Sequence, residues 1–162
     1  MKISQTAKTW AVAATMSLLA LPAMAQDVTL KLHQFLPPQA NVPAHILIPW
    51  AEKVTADSNG ALKIDVFSAM ALGGTPPQLI DQVRDGVVDI VWTLPGYTPG
   101  RFPRVEVFEL PFMMTDAEAA SRAYWDLFKS DMEETDFKDF KILGTWVHGP
   151  GIIHTKGAAI AS

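Results

Sequence analysis

The chain predicts an α/β fold, a mostly parallel sheet flanked by helices, on three observations. Strand-like and helix-like stretches alternate in the order strand, helix, strand, helix, strand, the order of a parallel sheet with right-handed crossovers. Both helical stretches end on residues suited to a left-handed backbone, Asn59-Gly60 and Gly86, just ahead of the next strand. The third strand, Val87 to Trp92, is apolar almost without interruption, as expected of a strand covered on both faces.

Residues 1–25 stand apart from that pattern. Lys2 and Lys8 precede an apolar run, Trp10 to Leu21, which ends in Ala23-Met24-Ala25. A basic start, an apolar middle and small residues at minus three and minus one describe a secretory signal peptide cleaved after Ala25. The run is about 12 residues long, short of the ~20 that span a bilayer. Loss of the two lysines takes the formal charge from −4 to −6. A mildly acidic domain without basic clusters is unsuited to nucleic acid. There is no cysteine, so the exported chain has to rest on its core rather than on disulfides.

Val28-Thr29-Leu30-Lys31-Leu32 alternates as a strand does, and Gln34 to Asn41 reads as a loop by its prolines. Ala44 to Ser58 is helical, with Leu47, Trp50, Ala51 and Val54 on one face; Pro49 kinks it or marks a late start. Leu62, Ile64 and Val66 alternate in the second strand. Thr75-Pro76-Pro77 opens the second helix, with Thr75 as its cap and Leu79, Ile80 and Val83 as its buried face. After the third strand, Val105 to Phe112 is expected to be partly extended, and Thr115-x-x-Glu118 is a capping box opening a helix through Tyr124 and Phe128. The carboxylate-rich stretch 130–139 reads as a solvated helix or turn. Lys141 to Val147 reads as a further strand, interrupted by Gly149-Pro150-Gly151 and resumed at Ile152-Ile153.

Ligands of open parallel sheets bind outside the carboxyl ends of the strands. Those ends are Gln34 to Pro37, Ser68 to Leu72, Trp92 to Tyr97, and Val147 to Gly151. The Pro- and Gly-rich loop after Trp92 is therefore one wall of a ligand cleft.

Leu72-Gly73-Gly74 ahead of a helix, then Gln82 to Ile90 (QVRDGVVDI), then Phe108-Glu109-Leu110-Pro111-Phe112 follow one another with Ala51-Glu52-Lys53-Val54 and Asn59-Gly60 upstream. This ordered set resembles the DctP-type solute-binding proteins of tripartite ATP-independent periplasmic (TRAP) transporters, over Val28 to Ile153. The resemblance implies a periplasmic-binding-protein-like fold of two lobes that close on a small carboxylate. It also implies delivery to a small and a large integral membrane subunit, driven by an ion gradient, by a protein that acts as a monomer without a cofactor. Members of the family are about twice this length. Residues 26–148 then form the first lobe, and 149–162 the crossover and the start of a truncated second lobe. The arginine that clamps the carboxylate in the family would lie beyond Ser162. A crossover position that is sometimes basic is Gly151 here. Of three positions that make polar contacts in sugar-acid binders, Phe35, Thr75 and Leu94, two are apolar.

Burial of an apolar group stabilises by ~1.5–3 kcal/mol, whereas each unpartnered sugar hydroxyl would cost ~1–3 kcal/mol. The expected ligand is an aromatic or branched-chain carboxylate, hydroxybenzoate-like or a keto acid. It would lie against Phe35, Trp92 and Tyr97, with Thr75 or Thr93 as polar contact and Leu94, His148 and Gly151 nearby. Each position has a plainer role. Phe35 and Trp92 can pack beneath a loop, Thr75 can cap, His148 can serve as a hinge residue, and Arg101 and Arg104 can line a solvated face. Asp81 and Asp85, one helical turn apart, are expected to be solvated rather than an acid–base pair.

Two other classes remain. A periplasmic sensing domain shares the fold but keeps an amino-terminal anchor. An exported enzyme fits poorly. His33, His45, His148 and His154 have no compact metal-ligand spacing, Gly-x-Ser-x-Gly is absent, and Leu72-Gly73-Gly74-Thr75 lacks the lysine of a phosphate loop.

Overall fold

The computed structural model describes residues 28–149 and 155–157. The expected signal peptide, Gly151 and the strand at Ile152-Ile153 lie outside the described residues.

Three parallel strands form the sheet in the order β2-β1-β3: β1 Val28–Gln34, β2 Leu62–Phe67 and β3 Ile90–Trp92. The amino-terminal strand is central, with Leu32 opposite Val66 on one side and Ile90 on the other, and Gln34 opposite Trp92. β1 runs two residues beyond its expected end, because His33 and Gln34 pair with β3. Helix α1, Ile48–Asp57, starts late, with Pro49 in its first turn behind a π-helical turn at Pro43–Leu47. It closes on Asn59 and Gly60, both left-handed. Helix α2, Leu79–Arg84, follows a 3-10 turn at Pro76–Gln78, and Gly86 at φ +72° ends it.

Alternation along the strands separates two cores. Leu30, Leu32, Ile64, Ile90 and Trp92 pack with Leu47, Ala51 and Val54 of the first helical region. Val91 points the other way, toward Ile80, Phe102, Val105, Tyr124, Phe128, Met132 and Phe137. The sheet is thus covered on both faces, as expected.

Five local expectations are corrected. The third strand begins at Ile90, not Val87: the N–H groups of Val87 and Val88 turn back onto the Gln82 carbonyl, leaving Val87 57% exposed. Val105–Glu109 is a 3-10 turn rather than extended chain, because buried Val105 packs with Phe102. Helix α3, Ala117–Leu127, is capped by Asp116 rather than Thr115; the Asp116 carboxylate accepts from the N–H groups of Glu118 and Ala119 at 2.9 and 3.4 Å. Glu118 instead pairs with Arg122 one turn on. The stretch 130–139 is not simply solvated, since Met132 and Phe137 are buried and Phe137 stacks on Phe102 at 4.6 Å. Lys141 to Val147 joins no strand ladder among the described residues. The Val147 N–H donates to Ser121 Oγ of α3 at 3.0 Å, a side-chain partner in place of a strand.

The loop arginines carry ion pairs on a face that leaves Arg104 exposed. Arg101 binds Asp81, which Arg84 also contacts, so Asp81 is a bridge between two cations. Arg104 binds Asp131 and Asp136. The Arg84 guanidinium, donating to Asp85, holds that carboxyl below its usual range.

Candidate ring-lined site at the strand tips

β1 ends at Gln34, so Phe35 is the first residue past its tip; Trp92 is the last residue of β3, directly across from Gln34. Their rings stack, with centroids 5.1 Å apart and planes 21° from parallel. Tyr97 closes a 3-10 turn at Pro95–Tyr97 and meets Phe35 edge-on at 5.3 Å. The turn is held by the Tyr97 and Thr98 N–H groups bonding to Leu94 and Pro95 carbonyls. Offset and edge-on pairs of this kind add ~0.5–1.5 kcal/mol each beyond the area they bury. The structure therefore brings together the three aromatic residues singled out from sequence.

A fourth ring joins them. Trp146 stacks near-parallel on Trp92, centroids 6.4 Å apart. Trp146 and Tyr97 remain 38% and 40% exposed, so the cluster has open ring surface as well as an anchored base. Sequence reasoning placed Trp146 on a strand and gave it no role. The available signal was its two-residue spacing from His148, itself a candidate, since alternate residues of an extended chain share a face. Burial alternates along this stretch: Thr145 and Val147 are partly covered, while Trp146 and His148 are exposed.

The remaining candidates are less engaged. Thr93 and Leu94 are half-buried beside Trp92. Thr75 is exposed, and its N–H and hydroxyl both donate to Gln78 Oε1, at 2.8 and 3.0 Å. Thr75 is thus the N-cap of the 3-10 turn, as expected, with Gln78 reaching back to it in a capping-box arrangement. His148 Nδ1 donates to the Gly149 carbonyl at 2.6 Å. A shallow pocket of about 250 Å³ lies past Tyr97, lined by Gly96, Pro99, Glu106, Glu109 and Leu110. Its two carboxylates disfavour an anion, and Glu106 already accepts from the Gly100 N–H. Among the described residues no group of three or more acidic or histidine side chains could hold a metal ion.

Two buried polar residues at the tip of β1, Gln34 on the ring face and His33 on the opposite sheet face, were given no ligand role from sequence. Gln34 is buried, and its amide folds forward to bond both the N–H and the carbonyl of Leu36, fixing the turn that presents Phe35. His33 is also buried, bonded to Gln82 and to the Leu72 N–H.

The sequence pattern of DctP, bacterial extracellular solute-binding protein family 7, matches residues 37–162. The chain is similar to the crystal structure of a marine metagenome TRAP solute binding protein specific for aromatic acid ligands, in complex with 3-hydroxybenzoate. The two are 55% identical, with a TM-score of 0.79 over 83% of this chain and 42% of that one. It is likewise 55% identical to a TRAP solute binding protein from Rhodoferax ferrireducens with copurified benzoate, with a TM-score of 0.72 over 76% of this chain and 38% of that one. A curated relative, the outer membrane transporter protein TsaT of Comamonas testosteroni, is 31% identical over 87% of this chain and 41% of its own length. The chain therefore spans about two fifths of the length of these relatives.

Proposed function

The chain belongs to the bacterial extracellular solute-binding protein family 7, and from that premise we propose that it captures a small aromatic carboxylate for TRAP-type import. The observation that carries this reading is the cluster of Phe35, Trp92, Tyr97 and Trp146 at the carboxyl-end pole of a parallel sheet. Four rings, two of them open, offer flat apolar contact to another ring and few hydrogen-bond partners to a sugar hydroxyl. The aromatic acids held by the 55%-identical structures support the same ligand class.

In this reading the protein binds and releases without chemistry or cofactor, as a monomer. The family is one of solute-binding proteins, and its members work outside the cytoplasm. Residues 26–148 act as the ring-bearing lobe, with Phe35, Thr75, Trp92, Thr93, Leu94, Tyr97, His148 and Gly151 disposed around the ligand. The carboxylate is gripped by a charge-assisted contact from elsewhere in the complete cleft, because Arg101 and Arg104 are already committed to aspartates. Closure about the His148–Gly151 region hands the ligand to the two membrane subunits.

Calorimetry and tryptophan quenching test this on the chain itself and on a chimera completed with the remaining segment of the Rhodoferax relative. Benzoate and 3-hydroxybenzoate are expected to bind the chimera tightly and to quench; galacturonate is expected to do neither. Tight galacturonate binding with silence toward both aromatic acids overturns the proposal.

A further inference from the structure

His33 is fully buried at the tip of the central strand, on the sheet face opposite Trp92, and takes no part in the ring cluster. Its two nitrogens have partners of fixed polarity. The Leu72 N–H can only donate, and it points at Nε2 from 3.3 Å, so Nε2 is unprotonated. Nδ1 must then carry the proton and donate to Gln82 Oε1 at 2.7 Å. The orientation of that amide is independently set, because Gln82 Nε2 donates to the Gly73 carbonyl at 3.0 Å. Leu72 N–H to His33, His33 to Gln82, and Gln82 to Gly73 form a circuit that returns to the neighbour of its first donor. Flipping either the imidazole or the amide would set donor against donor or acceptor against acceptor.

The circuit closes on a strained loop. Ala69 and Met70 both adopt left-handed backbone, φ +53° and +56°, which L-residues with side chains resist. The first half of this loop hangs on the backbone at and just past the end of β1, through Ala69 N–H to the Leu36 carbonyl at 2.9 Å and Met70 N–H to the Gln34 carbonyl at 3.1 Å. The second half is held through His33. Gly74, at φ +87°, leaves room for the device: a Cβ there would come 2.7 Å from Gln82 Nε2.

We propose that His33, as its Nδ1–H tautomer, is a positioning residue that locks the loop 68–74 onto the tip of β1 and onto Gln82 of α2, and so shapes the β2 side of the cleft pole. This goes beyond the ligand reading and stands without it.

The first test needs no substitution. Imidazole ¹⁵N resonances of the purified chain should show His33 with a protonated Nδ1 and a bare Nε2; the opposite tautomer overturns the proposal. Three variants then separate the two bonds, with hydrogen exchange at the Leu72 amide as readout. H33N keeps a donor near Nδ1 and loses the acceptor; H33Q places its carbonyl near Nε2. Leu72 exchange should accelerate by about tenfold in H33N and in H33L, and return to within about threefold of the parent in H33Q. Unchanged exchange in a folded H33L, or equal acceleration in all three, overturns it. Should H33L not fold, Q82M on the half-buried glutamine serves instead: loss of a single His33 tautomer is expected, and its retention counts against the circuit.

Discussion

Phe35 and Trp92, 57 positions apart in the chain, stack with centroids 5.1 Å apart at the adjoining tips of β1 and β3. The contact exists because strand pairing sets Gln34 opposite Trp92 and the Gln34 amide then bends the chain back over it. An aromatic wall is thus assembled from residues whose backbones are already fixed by the sheet.

Replacement of Trp92 removes the central plate between Phe35 and Trp146. Trp92→Ala is expected to cost about 2 kcal/mol in urea titration, below the ~3–5 kcal/mol of a fully buried ring because Trp92 is only half-covered. Trp146→Ala should cost less, about 1 kcal/mol, since that residue is 38% exposed. Both should lower aromatic-acid affinity in the completed chimera by about tenfold, and both should abolish the near-ultraviolet dichroism of the indole pair.

Gly96 lies directly beneath the Glu109 carboxylate, whose oxygens a Cβ would strike. The obstructing group is the free end of an exposed side chain, so Gly96→Ala should displace Glu109 at a cost of under about 1 kcal/mol. Chemical shifts of the Glu109 side chain should move while the melting temperature barely changes.

Two ion pairs should respond to truncation to very different extents. Arg104 contacts Asp136 through its guanidinium and its backbone N–H, and the Asp136 side chain is only 5% exposed. Arg104→Ala is expected to cost about 1–3 kcal/mol, the backbone bond softening the loss. Lys53 and Asp57 sit 71% and 63% exposed on α1, and Lys53→Ala should change stability by about 0.5 kcal/mol or less. Denaturant midpoints of the two variants decide this.

Tyr124 links the core to alkaline stability. Burial first, then the Glu109 and Asp136 carboxylates, push its phenol up to about 12 from an ordinary 10.0. Below about pH 10 the phenol is neutral in folded and unfolded chains alike, and its contribution is fully present. Between about pH 10 and 12 only the unfolded chain sheds the proton, so stability falls by up to about 2–3 kcal/mol. Tyr124→Phe should remove that component of the decline, measured as urea midpoints from pH 9 to 12.

Legibility from sequence followed the range of the interactions. Strands with strict alternation, Leu30-Leu32 and Leu62-Ile64-Val66, and stops such as Asn59-Gly60 are set by nearest neighbours, and they were readable. Phe35, Trp92 and Tyr97 were readable because parallel strands deliver their tips to one pole. Trp146 was not, since its place depends on a long-range stack and on the Ser121 hydroxyl rather than on a ladder. The stretch 130–139 misled for a similar reason: its carboxylates advertise solvent, while Met132 and Phe137 are drawn inward by Phe102 and Phe128. Asp116 displaced Thr115 as cap by one residue, a margin at which two good capping side chains in a row cannot be ranked from composition.

All three strands run in one direction, so Val28 enters at the end of the sheet remote from Phe35 and Trp92. Seven strand residues separate that entry from the rings, roughly 20 Å of rise. A fluorophore, affinity handle or sensor-chip linker grafted ahead of Val28 is therefore held at the end of the sheet away from the rings. Biosensor builds on this scaffold should attach at the front of the chain and report at the rings.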